Sequence, residues 1–196
     1  MFELSFLDLS AGLGLAATGV LTFNFLLGML LSTAYKQNPY WKKLPPKLQQ
    51  LSLKDLHNWT AYLALCLALL HPIILFLDKE AGFGWQQLFF PLTSPKQEWI
   101  VLMGVISLYA LIITVITSLD SVRKKMGFRF WKNLHLVSYA TACLFLVHGL
   151  LMDPLLKDRP TDWIDAEKAF SEICMLVILV AGYFRYQYFK QHQKTA

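Results

Sequence analysis

The stretch from Trp131 to Leu151, WKNLHLVSYATACLFLVHGLL, decides how the chain is read. About 20 apolar residues rising 1.5 Å each cross the roughly 30 Å hydrocarbon core of a bilayer, so the stretch predicts a membrane-spanning helix. It nevertheless carries two histidines, His135 and His148. Ionisable side chains inside a span are costly and usually functional. A neutral imidazole is a strong ligand for transition metals and for haem iron. A second apolar stretch, Leu56 to Phe76, repeats the arrangement with His57 and His71. Four of the five histidines thus sit in two spans, one near each end of each. The fifth, His192, lies in a polar tail.

The rest of the chain agrees with a membrane setting. Of 196 residues, 56% are hydrophobic and only 16% are charged, less charge than a soluble domain of this size carries. The net charge of +5 does not point to nucleic acid, because the cations fall in short loops between apolar runs, where they report membrane topology instead. Cys66, Cys143 and Cys174 all lie in apolar runs, and no CxxC or CxxCH occurs. Neither a zinc ribbon nor covalently attached haem is indicated, and the cysteines read as small packing residues. The N-terminus holds Glu3 and Asp8 and lacks the basic region of a cleavable signal.

The expected fold is all-α: one integral membrane helical bundle over residues 1–196 with five transmembrane helices, at about 9–33, 55–77, 99–119, 131–152 and 170–188. Gly12, Gly14, Gly19 and Gly28 in the first allow close helix approach. Pro72, directly after His71, predicts a local kink. The loops Tyr35–Lys54 and Asp120–Lys132 and the C-terminal tail are rich in Lys and Arg, whereas the N-terminus, Asp78–Glu98 and Asp153–Lys168 are not. That bias places the N-terminus outside and the C-terminus inside. Spans two and four then run parallel, with His57 and His135 near the cytoplasmic face and His71 and His148 towards the outer face.

His57 and His71 are 14 positions apart, and His135 and His148 are 13 apart. Along a helix these are about 21 Å and 20 Å. Two parallel helices with matched separations can offer two pairs, His57 facing His135 and His71 facing His148. Each pair can supply both axial ligands of a b-type haem, which leaves no open site on the iron and suits electron transfer rather than oxygen binding. At 100° per residue, 14 positions fall about 40° short of whole turns and 13 positions leave about 140° of mismatch. Span four must therefore twist or carry a π-bulge, or the two haems sit at different azimuths. The alternative is a haem-free transport or structural bundle whose histidines only bond neighbouring helices.

The two histidine pairs, H-x13-H and H-x12-H, resemble the ferric-reductase-like transmembrane domain, a family that includes NADPH oxidases, ferric reductases and the haem subunit of a bacterial methionine sulfoxide reductase system. The segment TSLDSVRKKMGFRFWKNLHLVSYATACLFLVH, Thr117 to His148, is most like the bacterial members. The resemblance implies two haems b, transmembrane electron transfer, and His57, His71, His135 and His148 as ligands. No GxGxxG or other nucleotide-binding stretch occurs, and the first of the family's usual six spans has no counterpart. The chain is therefore expected to act as the electron-transfer subunit of an oxidoreductase in a bacterial inner membrane, embedded in lipid. Its donor would be a quinol or a cytoplasmic flavoprotein. Its acceptor would be a periplasmic reductase, a flavoprotein or ferric iron. Lys54, Arg129 and Lys132 are candidates for propionates of the inner haem, with ordinary positive-inside anchoring as the rival role. Lys157 and Arg159 are candidates for the outer one. Trp59, Trp131 and Tyr139 either pack on porphyrin faces or fill the bundle, and Asn24 is expected to bond a neighbouring helix.

Overall fold

The computed structural model describes residues 5–79, 81–152 and 166–193. Among these, helix is the only regular structure, and five helical spans are long and apolar enough to cross a membrane. Helix α1, Phe6–Leu31, opens on a capping box: the Ser5 side chain accepts from the Asp8 amide at 3.0 Å, and Asp8 accepts from the Ser5 amide. That reciprocal cap satisfies free amides of the first turn and starts the helix ahead of residue 9. At its far end the Ser32 and Thr33 hydroxyls bond back to the carbonyls of Met29 and Leu30.

The basic loop that follows is punctuated by two single-turn helices, α2 (Pro39–Lys42) and α3 (Pro46–Gln49), each with a proline at its first position, where the missing N–H costs nothing. Helix α4, Leu53–Leu75, begins where the Ser52 hydroxyl caps the Asp55 amide. It continues through Pro72 and ends at Leu75. The short α5, Trp85–Phe89, precedes α6, Glu98–Ser118. Helix α7, Asp120–Met126, carries Arg123, Lys124 and Lys125 in its last turn, and Gly127 turns the chain at φ 77° into α8.

The fourth span is two helices, α8 (Phe128–Leu136) and α9 (Ser138–Leu151), separated at Val137. The Val137 amide bonds Leu134, three residues back, at 3.0 Å, a tightened turn of the 3₁₀ kind. The interruption falls between His135 and His148, in the span whose angular mismatch left a twist, a π-bulge or haems at different azimuths open. It is a break, not a π-bulge. Helix α10, Ala166–Gln193, forms the fifth span.

The helices pair as two antiparallel hairpins. Helix α1 packs along α4, and α6 packs along α9; α4 touches α6, and α10 lies against α1 and α9. Ser10 meets His71 and Asn24 meets His57, so 14 positions forward on α1 match 14 positions back on α4. Spans two and four are parallel, with His57 and His135 at one level and His71 and His148 around one cavity at the other. The cations of loop Tyr35–Lys54, of α7 and of α8 gather at the His57–His135 end. There Arg185 of α10 meets Ser32 of α1.

The outward faces are apolar, with Ile106, Ile113, Leu176 and Leu179 all exposed, as a lipid-facing surface requires. Trp85, Phe89, Phe90 and Trp99 are exposed at the end opposite the cations, the placement expected at a bilayer interface. Trp59 is 71% exposed and points out of the bundle, so it fills no core. Cys174 is buried, whereas Cys66 and Cys143 face outward and do not pack inside.

Candidate functional site

The two histidines of α4 face the two of α8–α9 across the interior of the bundle. At the basic end the His57 and His135 ring centroids are 6.3 Å apart, with the ring planes at 71°. A metal–imidazole bond of about 2 Å and a ring radius of about 1 Å on either side sum to roughly 6 Å between trans imidazole centroids. The observed spacing therefore suits one metal atom held between the two rings.

Each imidazole is held from behind through Nδ1. His71 donates to the Ser10 carbonyl at 2.7 Å, His57 to the Asn24 carbonyl at 3.1 Å and His148 to the Ile100 carbonyl at 2.8 Å. A carbonyl only accepts, so these three contacts fix the Nδ1–H tautomer and leave Nε2 with its lone pair. His135 Nδ1 meets the Ser118 hydroxyl at 3.2 Å. Among the described residues no Nε2 of the four has a hydrogen-bond partner. Orienting partners on the far nitrogen are what metal-ligating histidines have.

Glycines make this approach feasible. A Cβ on Gly14 would lie 3.3 Å from the His71 ring, and one on Gly28 would lie 3.3 Å from His57. A Cβ on Gly104 would sit 2.7 Å, 2.9 Å and 3.0 Å from three ring atoms of His148. Asn24 also donates its side-chain amide to the His57 carbonyl at 2.6 Å and to Thr60 at 2.8 Å, so the expected interhelical bond is present. Ser10 similarly donates to the His71 carbonyl at 2.8 Å; that carbonyl directly precedes Pro72.

His71 and His148 line a cavity of about 200 Å³. Its walls are mainly apolar, with Leu21, Phe25, Leu108, Leu111 and Phe145 among them. Beyond the histidines it is closed by a cluster of Ala81, Phe83 and Val101 packed with Leu7, Leu75, Phe76 and Met152. The loop after α4 thus folds back to give this end of the cavity an apolar wall.

One side chain that the sequence reading assigned to an acidic loop belongs to this cavity. Lys168 lines it from the first turn of α10 and is only 6% exposed. Ser171, one turn on, is fully buried on the same wall. No hydrogen bond or ion pair reaches Lys168 among the described residues. Arg185 plays a comparable part at the basic end. It bonds the Tyr139 hydroxyl and Ser32 Oγ and stacks on the rings of Tyr139 and Phe189. Trp131 stacks on His135, 5.2 Å between centroids, and donates Nε1–H to Ser118.

Lys54, Arg129 and Lys132 are exposed, and none makes a hydrogen bond or ion pair among the described residues. Lys157 and Arg159 lie outside the described residues. No group of three or more His, Cys, Asp or Glu that would hold a bare metal ion exists among the described residues. The available ligands therefore come in opposed pairs of imidazoles, the donor set of a six-coordinate haem.

The family described as the ferric reductase-like transmembrane component matches residues 13–146. The match contains His57, His71 and His135 and stops two residues before His148. No curated protein and no solved structure matches the chain. Domains of this family generally bind haem. With more than half of its length matched and five apolar helices, the chain is an integral membrane protein and belongs to the ferric reductase-like transmembrane family.

Proposed function

We propose that the chain is a membrane cytochrome b that passes single electrons across the bilayer between two bis-histidine haems b. His57 and His135 would hold the inner one, and His71 and His148 the outer. One observation carries this reading: all four imidazoles are held through Nδ1, and among the described residues no Nε2 has a hydrogen-bond partner. A structural histidine would use both nitrogens on neighbouring helices.

When bound, haem would supply a one-electron centre, held by His57 with His135 and by His71 with His148. The chain's own residues supply the rest. The Nδ1 partners lock ring orientation and make each imidazole a better donor. Phe76, Phe83 and Val101 would give the outer site an apolar wall. Lys168 is placed to meet an anionic propionate in the outer cavity, and Lys54, Arg129 and Lys132 are available to the inner one.

The cation-rich end is the cytoplasmic one on this reading, with the N-terminus outside and the C-terminus inside a bacterial inner membrane. Electrons would enter from a quinol or a cytoplasmic flavoprotein and leave to a periplasmic reductase, a flavoprotein or ferric iron. The test is a dithionite-reduced minus oxidised visible spectrum and a haemochrome assay of the purified chain. Sharp b-type bands with two haems per chain are expected. A chain that binds no haem when expressed with ample supply overturns the proposal.

A further inference from the structure

The two hairpins use one device repeatedly. A carbonyl on the neighbouring helix accepts from Nδ1, and a glycine one turn later leaves room for the ring. Ser10 with Gly14 does this for His71, Asn24 with Gly28 for His57, and Ile100 with Gly104 for His148. Gly14 and Gly28 are 14 positions apart, the same separation as His57 and His71. Fourteen positions along α6 from Gly104 the series arrives at residue 118, facing His135. Here the residue is serine. Its hydroxyl occupies the notch and takes the place of the carbonyl, at 3.2 Å from His135 Nδ1.

This fourth contact differs chemically from the others. An amide carbonyl is a strong acceptor with a fixed dipole. The Ser118 hydroxyl is a weaker one, and it also accepts from Trp131 Nε1 at 3.3 Å. With Nε2 of His135 committed to iron, its Nδ1 carries the proton, and two donors then share one small oxygen. The stronger the pull on the Nδ1 proton, the more electron density the ring delivers through Nε2, and the more the oxidised iron is favoured. We propose that Ser118 is a positioning residue that makes His135 the least electron-rich of the four ligands and so raises the reduction potential of the inner haem. The proposal rests on the two-haem reading above. It also assigns a tunable contact: a backbone carbonyl survives any side-chain substitution, whereas the Ser118 hydroxyl does not.

The experiment is a spectroscopic redox titration of the haem-loaded full chain with three variants. Ser118→Ala removes the acceptor, and the inner centre should become easier to reduce. At the wild-type midpoint its reduced-to-oxidised ratio should rise roughly three- to tenfold, the equivalent of one hydrogen bond, with the outer centre unchanged. Trp131→Phe keeps the stacked ring but withdraws the competing donor, so the same ratio should fall. Ser118→Thr retains a hydroxyl and should stay close to wild type. The proposal is overturned by an unshifted inner potential in Ser118→Ala, or by the alanine and phenylalanine variants moving the same way. If Ser118→Ala fails to load haem, the fall in Trp131→Phe alone decides. A wild-type chain without haem bands would defeat the cytochrome reading instead, so the two failures are distinguishable.

Discussion

His57 and His135 stand on different hairpins, yet their rings face one another with centroids 6.3 Å apart. Neither can hold a six-coordinate iron without the other. Alanine at either position should remove the same centre, and the double variant should be no worse than either single one, because paired ligands act as a unit. His71→Ala and His148→Ala should together define the other centre. Haem per chain should fall from two to one in each case. Single variants that distribute differently between the two spectral components would break the pairing.

Gly104 has the least room of the notch glycines. Its replacement by alanine puts a methyl 2.7 Å from the His148 ring, and overpacking of that kind costs about 1–3 kcal/mol. The outer centre should bind haem roughly tenfold or more weakly in Gly104→Ala. The 3.3 Å contacts at Gly14 and Gly28 predict milder losses at the outer and inner centres respectively. Gly12→Ala meets nothing within 4 Å and serves as the control. Haem transfer to an excess of a haem-free acceptor protein measures all four.

Lys168→Met keeps length and removes charge from the wall of the outer cavity. Loss of a charge-assisted bond to a propionate, worth about 1.5–3 kcal/mol, should speed release of the outer haem by roughly tenfold or more and leave the inner one in place. Lys168→Arg should restore retention. Equal behaviour of methionine and arginine variants would show that the site needs only the stem of the side chain.

Much of this was legible in the sequence, and the omissions have physical causes. Histidines in apolar runs stand out, so the four ligand candidates, their pairing by span and the number of spans could be read directly. The Nδ1 partners at Ser10, Asn24 and Ile100 could not, because a backbone carbonyl leaves no mark in the residue alphabet. The signal that existed was the spacing of Gly14 and Gly28, which equals that of His57 and His71 but reads as ordinary helix approach. Lys168 was hidden by a boundary. Helix α10 begins at Ala166, ahead of the expected residue 170, and the extra turn carries the lysine into the cavity. The angular mismatch between His135 and His148 left a distorted span four as one of several possibilities, and the structure interrupts the helix at Val137.

Orientation is open to direct measurement. A reporter fused after Ala196 should be active only if it functions in the cytoplasm. One placed in the loop around Lys42 and Lys43 should behave identically, since both belong to the basic end. A reporter near Trp85, among the exposed aromatics of the opposite end, should give the reverse signal. Opposite signals from the first two fusions would contradict the five-span arrangement.

The chain should not oxidise NADPH unaided. A hydride carries two electrons together, whereas an iron with two imidazoles accepts one, and flavin ordinarily bridges the difference. Stopped-flow mixing with NADPH should leave the haem bands oxidised, while dithionite reduces them. Added cytoplasmic flavoprotein should confer NADPH-dependent reduction. Fast reduction by NADPH alone would reveal a nucleotide site in the chain.

The antiparallel pairing of α1 with α4 has a consequence for biogenesis. On the two-haem proposal each hairpin carries one ligand for each level, already hydrogen-bonded, but only half of any coordination sphere. The first hairpin can leave the insertion machinery complete in its own contacts and still have nothing to grip. Loading of both sites would then wait until residue 148 has been synthesised and the second hairpin has docked. A prosthetic group clasped by both hairpins would work as a rivet, joining two separately inserted halves at two heights and turning a loose pair of helical hairpins into one rigid body.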